Sequence, residues 1–244
     1  MRTRLSIFHV PRFHTLWPHA CLLCGMASDA AAVCPGCLDD LPRLATPRCP
    51  ICATPLAVPA PACGACLAHS PAYDATHAAW RYGYPLDALI HLLKFGHGAG
   101  RGHAFRRFAS ADFLASQMLI DAPRDGMLIL PVPLSRKRLR ERGFNQALEL
   151  ARPLASILKL RLDDSSLTRE RDTPPQSLLP WRARKKNVRH AFACTSDFSG
   201  QAIIVVDDVM TTGATLDAIA RTLKDHGAIR VTNWVAARAV KNVI

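Results

Sequence analysis

An α/β fold on a parallel sheet, preceded by a small metal-stapled segment, is the architecture this 244-residue chain predicts. Three observations carry that expectation. Residues 203–206 are an apolar β-branched run that leads into Asp207, Asp208 and a Thr/Gly turn. Residues 127–132 are a second apolar run, followed by a dense cationic stretch. Eight of the nine cysteines fall in four C-x-x-C pairs before residue 67.

The run Ile203, Ile204, Val205, Val206 suits a strand buried on both faces, as in a parallel sheet. Asp207 and Asp208 sit where that strand is expected to end, the ligand edge of an open α/β sheet. Thr211, Thr212, Gly213, Ala214 and Thr215 follow, and then Leu216, Ile219, Ala220 and Leu223 recur at helical spacing. A glycine-bearing turn at a helix N-terminus presents N–H donors and hydroxyls to an anion, most simply a phosphate. Paired carboxylates accept hydrogen bonds from a ribose diol or hold Mg²⁺. A sugar with a phosphate at one end fits both halves. An ordinary strand–turn–helix is the plain alternative, and a Walker B strand would need a G-x-x-x-x-G-K-[ST] partner that this chain lacks.

The motif resembles the PRPP-binding motif of type I phosphoribosyltransferases position for position. That resemblance implies that Asp207 and Asp208 hold the ribose hydroxyls and that residues 211–215 hold the 5-phosphate.

The four cysteine pairs are Cys21/Cys24, Cys34/Cys37, Cys49/Cys52 and Cys63/Cys66. Each C-x-x-C turn brings two thiolates to one ion, and two turns complete a tetrahedral Cys₄ zinc site. Sequential pairing groups Cys21, Cys24, Cys34 and Cys37, then Cys49, Cys52, Cys63 and Cys66; pairing across the repeats satisfies the spacing equally well. Disulfides would suit a secreted chain, and no secretion signal is visible. Iron–sulfur ligation uses the same residue type. Four thiolates leave no position for water, so the zinc role is structural. Zinc binding of ~10–16 kcal/mol can stabilise a segment this poor in large apolar residues. Chelation is expected to unfold residues 20–67 and leave the rest folded. Cys194 stands alone and reads as a small core residue.

The net charge of +12 is uneven: residues 126–190 hold fifteen Lys/Arg against six Asp/Glu. Arg136, Lys137, Arg138, Arg140 and Arg142 place five bases within seven residues after the 127–132 strand. They are expected to form a mobile cationic loop at the Asp207 edge, with Arg138, Arg140 and Arg142 holding pyrophosphate. Residues 163–190 read as a basic loop carrying Trp181, able to track a nucleic-acid backbone or to close over a phosphoribosyl ligand. Leu86, Leu89, Ile90 and Leu93 predict a helix over 85–95, residues 105–119 a second, and 144–160 a third. One or two strands are expected in 73–84 and a last strand over 228–235. Gly96, Gly98, Gly100 and Gly102 read as a connector. No stretch approaches the ~18 apolar residues of a membrane span, and the chain is expected to be cytoplasmic.

Taken in order, these motifs resemble the ComF family of phosphoribosyltransferase-fold competence proteins. The resemblance rests on the cysteine pairs, residues 89–95 (LIHLLKF), 131–134 (PVPL), 142–146 (RGFNQ), 169–176, 184–187 with Phe192, and 203–215. It departs in an Ala-rich first strand-end segment and in Trp181. The implied organisation is a double zinc ribbon over 1–68, hood strands and helices over 69–125, and a phosphoribosyltransferase core over 126–244. The implied cofactors are two structural Zn²⁺ ions and Mg²⁺ with PRPP. The implied role is uptake of single-stranded DNA in natural transformation, with single-stranded DNA and a DNA-uptake machinery protein as partners. Transfer of ribose 5-phosphate from PRPP to an acceptor under the hood is the enzymatic alternative. A zinc-ribbon adaptor that docks another protein is the third.

Overall fold

The computed structural model describes residues 20–28, 32–95, 110–111, 113–118, 127–170 and 191–240. The glycine connector at 96–102 and the basic stretch 171–190 with Trp181 lie outside these residues.

Five parallel strands form the core sheet in the order β1–β7–β6–β2–β3. They are β1 (Ala75–Arg81), β2 (Met127–Pro131), β3 (Arg161–Leu162), β6 (Ala202–Met210) and β7 (Arg230–Arg238). The strand expected within 73–84 is β1, and it joins this sheet as the partner of β7. A separate antiparallel pair, β4 (Leu167–Arg169) and β5 (Phe192–Cys194), brackets the 171–190 segment. Six helices are described: α1 (Pro35–Asp39), α2 (Gly64–Ala68), α3 (Leu86–Phe95), α4 (Arg136–Arg142), α5 (Gln146–Leu158) and α6 (Ala214–Asp225). Residues 113–117 are also helical.

The continuous apolar runs are explained by burial on both faces. In β6, Ile203 and Val205 enter one core, while Ile204 and Val206 enter the other. Side chains alternate across a strand, so a strand covered on both sides has no polar positions to spare. One core is completed by Leu216, Ile219, Ala220 and Leu223 of α6, together with Cys49, Cys52 and Cys66. The other is completed by Leu89, Ile90 and Leu93 of α3, by Leu150 and Leu154 of α5, and by Cys21, Leu22, Val33 and Leu41. Each cysteine cluster is thus welded to a different face of the sheet.

The cysteine segment also covers the sheet's outer strand. The Thr76 amide donates to the Pro50 carbonyl (3.2 Å), the Arg81 amide to the Pro42 carbonyl (2.9 Å), and Arg48 Nη1 to the Ala78 carbonyl (3.0 Å). A strand edge left open would offer these groups to another chain.

The cationic stretch is a helix, contrary to the loop expected. Ser135 Oγ accepts from the Arg138 amide, and Gly143, at φ 73°, closes the far end with its amide on the Leu139 carbonyl (2.7 Å). A serine cap, a left-handed glycine stop and seven good helix formers between them outweigh the repulsion of like charges. Asn145 caps α5 through the Ala147 amide (3.0 Å) and donates to the Val132 carbonyl (3.0 Å), which pins the helix start to the end of β2.

Candidate functional site

β2 pairs with β6 only as far as Pro131 opposite Val206, whereas β7 stays with β6 to Met210. From Asp207 onward the β2 side of β6 is therefore open. The acidic pair lies inside the strand, not beyond its end, because pairing with β7 carries β6 four residues past the apolar run, to Met210. The Asp208 amide donates to Asp207 Oδ1 (2.9 Å).

Lys94, in the last turn of α3, places Nζ 2.6 Å from Asp208 Oδ2. The two carboxyls are shifted in opposite directions. Burial raises the Asp207 pKa well above its usual value, and the adjacent Asp208 charge adds to this. Burial also acts to raise Asp208, but the Lys94 ammonium overrides it and holds that carboxyl low. Burial acts to lower the Lys94 pKa, but Asp208 and Asp207 outweigh it and keep it raised. Pairs pushed apart in this way mark functional sites more often than ordinary surfaces.

Below the acids the chain turns through Thr211, Thr212 and Gly213 into α6. Gly213 has φ 79°, and the Thr212 hydroxyl accepts from the Ala214 amide (3.2 Å). A methyl group on Gly213 would meet Met210 Cε at 2.7 Å and Tyr73 Oη at 2.9 Å. Both the backbone angle and the close approach require glycine here. Thr211, Thr212 and Thr215 are all partly exposed, so the hydroxyls and the start of a twelve-residue helix are presented together.

α4 follows β2 at the same edge. Arg138 and Arg142 are one turn apart and partly buried, and the Arg142 charge senses both Asp208 and Arg138. Arg142 Nη1 donates to Gln146 Oε1 (3.0 Å). Arg140 is exposed and lies ~200° around the helix from Arg138. Arg142 therefore lies within electrostatic reach of Asp208, with Arg138 beside it, and Arg140 is exposed along with Arg136 and Lys137.

Three residues outside the expected set complete the site. Lys94 occupies an amphipathic helix end, and nothing in its spacing points to Asp208, 114 positions away. Tyr73 is buried against Gly213. Arg238 ends β7 inside an otherwise apolar run; a charge following Val235, Ala236 and Ala237 was the visible signal.

The cysteines settle into sequential groups, Cys21/Cys24/Cys34/Cys37 and Cys49/Cys52/Cys63/Cys66, each with all sulfurs within 4.8 Å of one another. Cys24 and Cys34 sulfurs are 3.8 Å apart, and those of Cys52 and Cys63 are 3.6 Å apart. A tetrahedron with Zn–S of about 2.3 Å has an edge of about 3.8 Å, which these distances match. The Cys34 amide points at Cys21 Sγ (3.4 Å) and the Cys63 amide at Cys49 Sγ (3.3 Å). Burial opposes ionisation of Cys52, but hydrogen bonding with Thr54 and its neighbours brings its pKa down to about 7, whereas burial and the neighbouring thiols push Cys63 and Cys66 up. Both groups fit zinc.

A parallel α/β sheet with this acid pair and turn, joined to two Cys₄ knuckles, defines a phosphoribosyltransferase-fold protein with a double zinc ribbon. A phosphoribosyl transferase domain family matches residues 145–239, and a double zinc ribbon domain family matches residues 13–67. The DNA utilization protein YhgH of Salmonella typhimurium is 35% identical over 91% of this chain and 98% of its own length. Competence protein F of Haemophilus influenzae is 32% identical over 85% of this chain and 90% of its own. Competence protein ComFC of Bacillus subtilis is 29% identical, covering 85% and 84%. Among solved structures, glutamine PRPP amidotransferase from B. subtilis overlies 60% of this chain and 30% of its own, at 15% identity and a TM-score of 0.42. The chain belongs to the ComF family. Among the described residues, no helix is long and apolar enough to cross a membrane.

Proposed function

We infer that this protein binds PRPP at the open edge of β6 and acts in DNA uptake or utilisation together with single-stranded DNA. The observation that carries the ligand reading is the stacking, on one strand and its following turn, of a diol-accepting acid pair over an anion-accepting helix start. The 5-phosphate fits the Thr211, Thr212, Gly213, Ala214 and Thr215 backbone and hydroxyls. Asp207 and Asp208 take the ribose hydroxyls, with Lys94 yielding part of its hold on Asp208. The pyrophosphate then lies toward Arg138 and Arg142. Two carboxylates, one of them already paired, are too few to retain a divalent ion alone. Mg²⁺ is best supplied as a complex with the pyrophosphate.

The DNA reading is supported by a second charge surface. Arg136, Lys137 and Arg140 face solvent on the side of α4 away from the acids. Together with the +9 excess of residues 126–190, they suit a polyanion backbone. The names of the relatives, which refer to DNA utilisation and competence, agree with this role. A cytoplasmic setting would keep eight zinc-ligand thiols reduced.

Transfer of ribose 5-phosphate is the second reading. The C1–O bond to pyrophosphate would break with its electron pair leaving on oxygen, and an acceptor nucleophile would bond to C1. The carboxylates would stabilise the positive charge that builds between these events. The test that separates binding from transfer is pyrophosphate release from PRPP with and without candidate nucleobases. Release that requires a base identifies an enzyme, and binding without release identifies a PRPP-responsive adaptor.

A further inference from the structure

Arg238 is a buried cation whose hydrogen-bond partners among the described residues are all neutral oxygens. Nε donates to the Cys52 carbonyl (2.8 Å) and Nη2 to Thr54 Oγ1 (3.1 Å). Nη1 donates to the carbonyls of Met210 (3.1 Å), Thr211 and Ala239 (2.6 Å). One planar group therefore grips the second cysteine knuckle with one side and the first residues of the Thr/Gly turn with the other. Among the described residues no carboxylate pairs with it. Burying a charge without a counter-charge is costly. With zinc bound, the second knuckle would supply one, because four thiolates around Zn²⁺ carry a net charge of −2. Thr54 Oγ1 also lies 3.2 Å from Cys52 Sγ, which extends the chain from guanidinium to metal ligand.

A second strut runs in parallel. Tyr73 shares a core with Cys49, Cys52 and Cys66 and rests its hydroxyl against Gly213. The Ala72 amide donates to Asp217 Oδ1 (2.7 Å) in the first turn of α6. Among the described residues the first knuckle makes no such hydrogen bond to the turn; Cys21, Leu22 and Val33 pack with α3 and α5 on the other face.

We propose that the second zinc knuckle and the phosphate turn form one coupled unit, with Arg238 as the positioning residue that joins them. Metal in Cys49/Cys52/Cys63/Cys66 holds the turn in its anion-binding form, and an anion in the turn holds the metal. The inference rests on the reading of 211–215 as a phosphate site. Coupling between two sites is reciprocal, so either ligand must strengthen the other's hold by the same factor.

Zinc-loaded full-length protein is exposed to a chelator and an alkylating agent, with and without ribose 5-phosphate, whose single phosphate does not compete for the metal. Peptide mass spectrometry reads how fast each cysteine is freed. Ribose 5-phosphate is expected to slow alkylation of Cys49, Cys52, Cys63 and Cys66 by about five-fold or more and to leave Cys21, Cys24, Cys34 and Cys37 unchanged. R238K keeps the charge but not the five bonds, and T54V removes one link without touching the core charge. Both are expected to shrink the ligand-dependent ratio, whereas a merely structural arginine would change the rates with and without ligand alike. Calorimetry on the same wild-type sample separates the failures. Binding with no selective protection overturns the coupling; absence of binding overturns the phosphate reading and the coupling with it.

Discussion

Lys94 of α3 and Asp208 of β6, 114 positions apart in the sequence, form a partly buried ion pair, 2.6 Å between Nζ and Oδ2. The ammonium holds the Asp208 carboxyl low against the effect of burial.

Replacing Lys94 with Met strands a buried carboxylate. The loss at pH 7 is expected to reach at most about 3–5 kcal/mol, less whatever solvent reaches the pair. In the wild type Asp208 is held low, so its contribution is present above the unfolded value of about 3.9 and is lost as pH falls through the folded value. In K94M burial acts unopposed, and stability should instead fall as pH rises. Urea unfolding from about pH 2 to pH 8 checks the reversal, and K94M/D208N should recover most of the loss.

Asp207 has the opposite sign. Its pKa is raised by burial and by Asp208, so it favours the folded state below about pH 3.9 and works against it as pH rises through the folded value. D207N is expected to gain ~0.5–2 kcal/mol at neutral pH while losing ribose binding. A thermal melt unchanged or lowered at pH 7 would show that the acid is not strained.

Gly213→Ala must place a methyl within 3 Å of both Met210 and Tyr73 and strain φ at 79°. A cost of about 1–2 kcal/mol and a loss of phosphate affinity are expected. Y73F at the same interface should lose less of both, as read by chemical denaturation and calorimetry.

Arg142→Gln should weaken PRPP binding, whereas Arg140→Gln should spare it. Removing Arg140 should reduce the salt dependence of single-stranded DNA binding, where each neutralised phosphate contributes a slope of ~0.7 in log K against log salt. Equal effects of the two variants on PRPP would mean that both faces of α4 reach the ligand.

Metal removal has wider reach than the cysteine spacing implied. The cysteines belong to both sheet cores, and the ribbon backbone satisfies Thr76 and Arg81 of β1. Chelation should therefore raise hydrogen exchange along β1, not only within 20–67. Undiminished protection of β1 would restore the picture of a separable ribbon.

What the sequence made legible was what local chemistry dictates. The 203–206 run, the acid pair, the Thr/Gly turn and the C-x-x-C units each carry their own constraint within a few residues. The helix at 136–142 was legible too, through Ser135 and Gly143, but five adjacent charges masked the caps. Lys94, Tyr73 and Arg238 were not legible in their roles. Each acts across more than a hundred residues, through a pairing of β1, β6 and β7 that no local period encodes. The grouping of the cysteines likewise needed the fold, since both pairings satisfy the spacing.

Titration decides whether the edge of β6 holds PRPP. The direct measurement is calorimetric titration of PRPP with Mg²⁺ into zinc-loaded wild type and into D207A/D208A shown to be folded. Saturable one-site binding in the wild type and its loss in the double variant is the predicted result. No heat of binding in a folded, zinc-loaded wild type would contradict it, and the motif would then be a structural turn in a DNA- or protein-binding adaptor.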